Sequence, residues 1–266
     1  MKYKLGLIGC GTIGQSIARG AVAARVIPPS ELLVVELDPV KRAQASMFGC
    51  AVTDNLSDTA DCDNLILAVK PQGFAAVADA LAPLNKPTLV ISVMAGIGST
   101  RIRSALGADS RVIRVMPNTP CQVGEGMAGI ALGDGALPGD EKLPQALFEA
   151  LGRTVFVDES LMHAVTAISG SGPAYIYLVA ELMQKAAREL GFDETTAQML
   201  VIQTIIGAGR MLRDTVEDPA HLRQLVTTPG GTTQAAMDVM FERDMPGIMV
   251  DALRAAHDRG IELDHM

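Results

Sequence analysis

The chain has 266 residues, 22 Lys and Arg against 30 Asp and Glu, a formal charge of −8, and a composition 48% hydrophobic and 20% charged. That balance describes a globular protein with one sizeable core or two smaller ones and excludes a disordered chain. The negative charge, without any basic run, argues against nucleic acid or an anionic membrane as partner. No uncharged stretch reaches the roughly twenty residues that cross a bilayer, and no leader precedes the first apolar run, so a cytoplasmic location is expected.

The first predicted element is an apolar strand, Leu5-Gly6-Leu7-Ile8, which runs directly into Gly9-Cys10-Gly11-Thr12-Ile13-Gly14. In this pattern the first glycine allows a tight turn, the second leaves room for a pyrophosphate, and the third lets the next helix pack close to the strand. Glycine-rich turns also arise for steric reasons alone, so the context carries the reading. A helix with apolar positions Ile13, Ile17, Ala18, Ala21 and Val22 follows, and then a second strand, Leu32-Leu33-Val34-Val35. Glu36 ends that strand about twenty residues past the last glycine, where a carboxylate would grip ribose hydroxyls. Further β-rich runs at 64–69, 88–93 and 111–115, and near Ile130 and Val155, alternate with helical stretches. The expected fold is α/β, a Rossmann-like, doubly wound and mostly parallel sheet over residues 1–157.

Such a sheet opens a crevice at the carboxyl ends of its strands. Three exits lead there: Ala68-Val69-Lys70-Pro71, Val93-Met94-Ala95-Gly96 and Met116-Pro117-Asn118-Thr119-Pro120. Their small and turn-forming residues let a backbone pass close to a flat nicotinamide ring. Lys70 reads either as a phosphate or ribose contact or as a solvated turn lysine. Asn118, between two prolines, reads either as an amide that orients a ring or water, or as an Asx turn closing the strand. Cys10, Cys50, Cys62 and Cys121 lack metal-ligand and redox spacing and read as reduced, mostly buried thiols. His163, His221, His257 and His265 are scattered, and no metal is expected.

After Asp158 the strand pattern stops, and residues 158–266 read as an all-helical domain joined through Glu159 to Ile168. Tyr175, Leu178, Val179, Leu182, Met183, Ala186 and Leu190 recur at helical spacing up to a stop at Gly191. From Thr195 to Gly209 there is no charged residue, and Ala197, Leu200, Val201, Ile205, Ile206 and Ala208 leave little polar face. This helix is buried either at the centre of the protomer or against a second copy, and a homodimer is favoured because a small helical domain has limited capacity to enclose it. Farther on, Thr227-Thr228-Pro229-Gly230-Gly231-Thr232-Thr233 precedes a helix carrying Ala235, Ala236, Val239 and Met240. Its hydroxyls and glycines suit a small carboxylate at a helix N-terminus; ordinary hydroxyl capping explains the same spacing.

Taken together, the Gly9–Gly14 loop, Ala68–Pro71, Arg114–Pro120, Ser169-Gly170-Ser171-Gly172-Pro173-Ala174-Tyr175 and the Pro229–Thr233 loop resemble pyrroline-5-carboxylate reductase, in order across nearly the whole chain. The resemblance implies hydride transfer from NADPH or NADH to the C=N carbon of 1-pyrroline-5-carboxylate, giving L-proline as the last step of proline biosynthesis. It implies a Rossmann domain, then a helical dimerisation domain, in a homodimer or higher oligomer. Cofactor contacts are then expected at Gly9, Gly11, Thr12, Ile13, Gly14, Glu36, Asn55, Ala68, Val69, Lys70, Pro71, Ala95, Gly96 and Asn118. Substrate contacts are expected at Thr228, Gly230, Gly231, Thr232 and Thr233, with the Thr233 hydroxyl as the candidate catalytic group on the ring nitrogen. The chain departs from the family pattern at Glu36-Leu37-Asp38, where NADPH-preferring members commonly have Asn and Arg, and this favours tolerance of NADH; Lys41 and Arg42 keep the other outcome open, as first-turn cations within reach of a phosphate. Leu225 and Thr228 stand where many members resemble a polar residue and a serine. The alternatives are a reductase of another cyclic imine, a β-hydroxyacid dehydrogenase, whose lysine is replaced by Tyr175-Ile176-Tyr177, and an inactive nucleotide sensor, which the intact loop disfavours.

Overall fold

A computed structural model of the chain describes residues 3–264. Eight strands form one sheet: β1 (Tyr3–Ile8), β2 (Leu32–Val35), β3 (Ala51–Thr53), β4 (Cys62–Leu67), β5 (Thr88–Ser92), β6 (Ser110–Met116), β7 (Gly126–Leu132) and β8 (Gly152–Phe156). Their spatial order is 3-2-1-4-5-6-7-8, parallel at every pairing except the antiparallel β6–β7. The connecting helices are α1 (Thr12–Ala23), α2 (Pro39–Ser46), α3 (Phe74–Leu81), α4 (Ser99–Leu106) and α5 (Lys142–Glu149). The chain winds outward from β1 to β3 and then returns to lay β4 beside β1, with Ile8 opposite Leu67. That reversal is the switch point at which a doubly wound sheet leaves its crevice.

The central strands are apolar without interruption because helices cover both faces. Alternate residues feed two cores. Leu5, Leu7, Val34, Ile66 and Ile91 meet Ile17, Leu147 and Phe148 on one side, while Ile8, Leu33, Val35, Leu65, Leu67 and Val90 meet Phe74, Ile102 and Leu106 on the other. The expected α/β class and mostly parallel sheet are as the sequence predicted. The three-residue β3 had no assigned segment, because three residues cannot display a period.

Past β8 no described residue is in a strand. The chain continues through α6 (Met162–Val165), a π-helical turn Thr166–Gly170, α7 (Gly172–Glu189), α8 (Glu194–Asp214), α9 (Pro219–Leu225), α10 (Thr232–Glu242) and α11 (Met245–Asp264). Secondary structure changes type near Asp158, but packing divides the chain elsewhere. One compact unit extends to Pro173 and resumes at Ala256, and the second comprises Ala174–Ala255. Glu159–Ile168, expected as the joining segment, lies inside the first unit, anchored by buried Met162 and Ala167.

Within the second unit, α8 buries only Ala197 and Val201 in its own protomer. Met199, Leu200, Ile202 and Ile206 remain exposed, Met199 by 64%. The alternative of a central, enclosed element of the protomer is therefore set aside; its apolar surplus is exposed in the single protomer. Among the described residues, no helix is long and apolar enough to cross a membrane.

Candidate active site

Gly9, at φ +93°, turns the chain off β1, and a Cβ there would stand 2.7 Å from the Ala68 carbonyl oxygen at the end of β4. A side chain at Gly14 would collide with the Gly9 carbonyl oxygen, so α1 reaches the loop only because both residues are glycine. Gly11 is the N-cap of α1, supplies no side-chain cap, and has no atom within 4 Å of where a Cβ would sit. Thr12, Ile13 and Gly14 form the first turn, so their N–H groups have no acceptor within the helix. The first turn carries no acidic residue. Unclaimed donors at the positive end of a helix, facing open space, fit the pyrophosphate of a dinucleotide.

A crevice of about 250 Å³ opens from this loop, walled by Gly9, Gly11, Glu36, Ala68, Val69 and Lys70 of the expected set, and also by Leu37, Lys41, Leu56 and Val77. Leu56 and Val77 were not singled out from the sequence; as isolated apolar residues they show no signal there, and here they give the crevice an apolar wall suited to a flat base. Among the described residues the exposed Lys70 ammonium has no ion-pair partner. Pro71 opens a short 3₁₀ turn after it.

Glu36 is fixed on both oxygens. Its Oε2 accepts the Cys10 N–H at 2.7 Å, and its Oε1 accepts the Asp38 N–H at 2.9 Å. The carboxylate therefore stands beside the glycine loop, on the crevice wall. The nearby cations are already engaged: Arg42 Nη1 donates to the Glu36 carbonyl at 2.7 Å, its Nη2 lies 3.2 Å from Asp54, and Lys41 lies 3.9 Å from Asp38. Burial, then the neighbouring Glu36 charge, pushes the Cys10 thiol up to about 12, which keeps it protonated and inert. All four cysteines are buried, and none is in a disulfide.

Two expected contacts have other duties. Asn55 is the N-cap of the 3₁₀ turn Leu56–Asp61, accepting the Ser57 N–H at 3.1 Å, and the crevice wall there is Leu56. Asn118 forms neither a closing Asx turn nor a free amide. Its Oδ1 accepts the Met127 N–H at 2.9 Å and its Nδ2 donates to the Ser169 carbonyl at 3.1 Å, bracing the end of β6 against β7 and the π-turn. Ala95 and Gly96 lie on the β5–α4 loop. Of the described histidines, none lines the crevice: His163 meets Asp264, His221 meets Glu217 and His257 meets Asp258. His265 lies outside the described residues.

The second expected set stands in the other unit, at the start of α10. Pro229 and Gly230, the latter at φ +73°, turn the chain so that the Gly231 N–H reaches the Thr228 carbonyl at 2.9 Å, the pattern of a type II turn. Gly231 caps α10 with extended backbone and no side-chain hydrogen bond. The hydroxyl-capping alternative is therefore overturned: neither Thr228 nor Thr232 nor Thr233 closes the helix. Among the described residues their hydroxyls have no hydrogen-bond partner. The loop thus gathers free N–H and O–H groups with no acidic residue among Thr227–Thr233, a set that fits a carboxylate. Leu225 ends α9, exposed, without a polar group to add.

Residues 4–96 match a family model described as NADP oxidoreductase, coenzyme F420-dependent, and residues 159–263 match one described as pyrroline-5-carboxylate reductase dimerisation. The pyrroline-5-carboxylate reductase of Synechocystis sp. is 37% identical, over 99% of both chains. Among solved structures, a pyrroline-5-carboxylate reductase from Coxiella burnetii superposes with a TM-score of 0.87 at 34% identity, covering 99% of both chains. A pyrroline carboxylate reductase from Plasmodium falciparum, with NADP bound, gives 0.88 at 27% identity over 98% of both. A glycine cradle, a threonine and glycine helix start and kinship along the full length agree: the chain belongs to the pyrroline-5-carboxylate reductase family.

Proposed function

We propose that this protein reduces 1-pyrroline-5-carboxylate to L-proline with NADH or NADPH, the last step of proline biosynthesis. The observation that carries the reading is the start of α10, where a helix of eleven residues leaves its first N–H groups and three threonine hydroxyls unclaimed. Gly230 and Thr232 hold the substrate carboxylate there through open N–H groups, Gly231, whose own N–H is spent on the Thr228 carbonyl, lets the backbone come close, and Thr228 adds a hydroxyl. The bound cofactor supplies the hydride that the C=N carbon receives. The protein's own work is placement. A protonated cyclic imine is already electrophilic, and its nitrogen retains the proton in the product, so no strong acid or base is required. Thr233 fixes the ring nitrogen, donating to the neutral imine or accepting from the iminium. The cradle of Gly9, Gly11, Thr12, Ile13 and Gly14 holds the pyrophosphate, with Lys70 beside the crevice as its free cation.

Cofactor choice follows from Glu36. Its pinned carboxylate accepts a ribose 2′-hydroxyl and repels a 2′-phosphate, while Lys41 and Arg42 are drawn toward Asp38 and Asp54. NADH therefore serves at least as well as NADPH. The protein acts as a homodimer or higher oligomer, closed over the outward apolar side of α8. Initial rates of NADH and NADPH oxidation, with 1-pyrroline-5-carboxylate as the only other substrate and proline identified as product, test the reading. Thr233→Ala should lower kcat about tenfold to a hundredfold, the worth of one well-placed hydrogen bond, with cofactor affinity unchanged. Folded, cofactor-binding protein that oxidises neither would point to another cyclic imine.

A further inference from the structure

We propose that Asp264, at the end of α11, is a positioning residue for the nicotinamide half of the cofactor: it holds the β5–α4 loop in the shape that Ala95 and Gly96 present. The inference rests on the reading of that loop as a cofactor contact. Between Ser92 and Ser99 the chain has no regular structure of its own, and the residue before α4 is Gly98, which has no side chain to cap the helix. The cap comes from 166 residues away. Asp264 Oδ1 accepts the Gly98 N–H at 2.6 Å.

The neighbouring residue acts on the same loop. Gly96 is at φ +67°, and a Cβ there would lie 2.9 Å from Leu263 Cβ, so the helix end is packed against the loop at the position expected to face the ring. Asp264 is itself held. Its Oδ2 is 3.3 Å from His163 Nε2, and a Cβ on Gly260, one turn back along α11, would stand 3.1 Å from Nδ1 of the same histidine. The start of α4 has a separate anchor: Glu159 accepts both the Ser99 N–H, at 2.8 Å, and the Ser99 hydroxyl, and pairs with the buried Arg114 at 3.4 Å. Because Glu159 secures α4, the Asp264 contact acts on the loop ahead of the helix. Loss of Asp264 frees Val93–Ile97 and leaves the sheet, the helix and the glycine cradle in place. Pre-ordering a loop in its bound shape removes an ordering cost that binding would otherwise meet.

The test compares two ligands on the full-length protein: NADH, and ADP-ribose, which keeps the adenosine and pyrophosphate but lacks nicotinamide. Asp264→Ala should weaken NADH binding about fivefold or more and lower kcat, with ADP-ribose affinity within about twofold of the parent. Asp264→Asn retains an oxygen that accepts the Gly98 N–H and should recover most of the loss. Unchanged NADH affinity in Asp264→Ala overturns the inference, and so does a parallel loss of ADP-ribose, which would mark general damage. A parent protein that binds neither ligand overturns the nucleotide reading itself, and this inference with it.

Discussion

Glu36 is held in place by partners that its position in the sequence does not reveal. Its position about twenty residues past the glycine loop marks it in the sequence as a ribose contact. The sequence does not show that its two oxygens are tied to Cys10 and Asp38, because the first partner is 26 residues distant and donates through its backbone. Such charge-assisted bonds to backbone donors hold a carboxylate in one place. Glu36→Gln removes the charge and one of the two acceptors. The ratio of kcat/KM for NADPH to that for NADH should then rise about tenfold, equivalent to roughly 1.4 kcal/mol. Steady-state rates with both cofactors measure it; an unchanged ratio would show that the carboxylate does not govern cofactor choice. At the same scale, Asn55 and Asn118 illustrate where sequence reasoning stops. Both amide oxygens accept backbone N–H groups, and nothing in their spacing distinguishes an amide that braces a turn from one that waits for a ligand.

At the scale of the element, the first turn of α1 makes two glycines separable. A methyl at Gly14 would run into the Gly9 carbonyl oxygen, and backbone cannot rotate away, so the helix must retreat from the loop. A methyl at Gly11 meets only open space, which is where an anion would lie. Gly14→Ala should therefore lower Tm by several degrees, as a loss of about 1–2 kcal/mol does in a domain of this size, and weaken NADH binding as well. Gly11→Ala should leave Tm within about two degrees and weaken NADH binding about tenfold or more. Thermal unfolding and fluorescence titration on both variants check this; equal effects would remove the distinction between packing and cradle. The long strands were legible because burial on two faces demands unbroken apolar runs, as in Leu32–Val35 and Leu89–Ile91. The end of α11 was not legible, because its meeting with Gly96 and Gly98 depends on how a helix returns to the sheet. The threonines at the start of α10 left two readings open for a related reason: hydroxyl spacing is the same whether the groups cap the helix or stay free.

For the whole molecule, the question is what covers α8. Ala197 and Val201 pack inward, whereas Met199, Leu200, Ile202 and Ile206 lie outward on an uncharged stretch that ends at Arg210. On α7, Ile176, Leu178 and Leu182 are exposed as well, and α7 has no buried residue. A monomer rarely leaves so much apolar surface in water. The chain matches the family's dimerisation model over residues 159–263, which makes a second copy the natural cover. A two-fold interface would present Ile202 and Ile206, one turn apart, in both protomers, so one substitution acts twice. The pair Ile202→Glu and Ile206→Glu would bury four carboxylates per dimer without partners, at a cost of several kcal/mol each. The parent should therefore elute as a dimer or larger at micromolar concentration, and the double variant as a monomer, by light scattering. Helical circular dichroism shows that the substituted unit of the variant is folded, and ADP-ribose binding shows the same of the unit that carries the glycine cradle. A double variant that stays dimeric would place the interface elsewhere, and a monomeric parent would overturn the dimer.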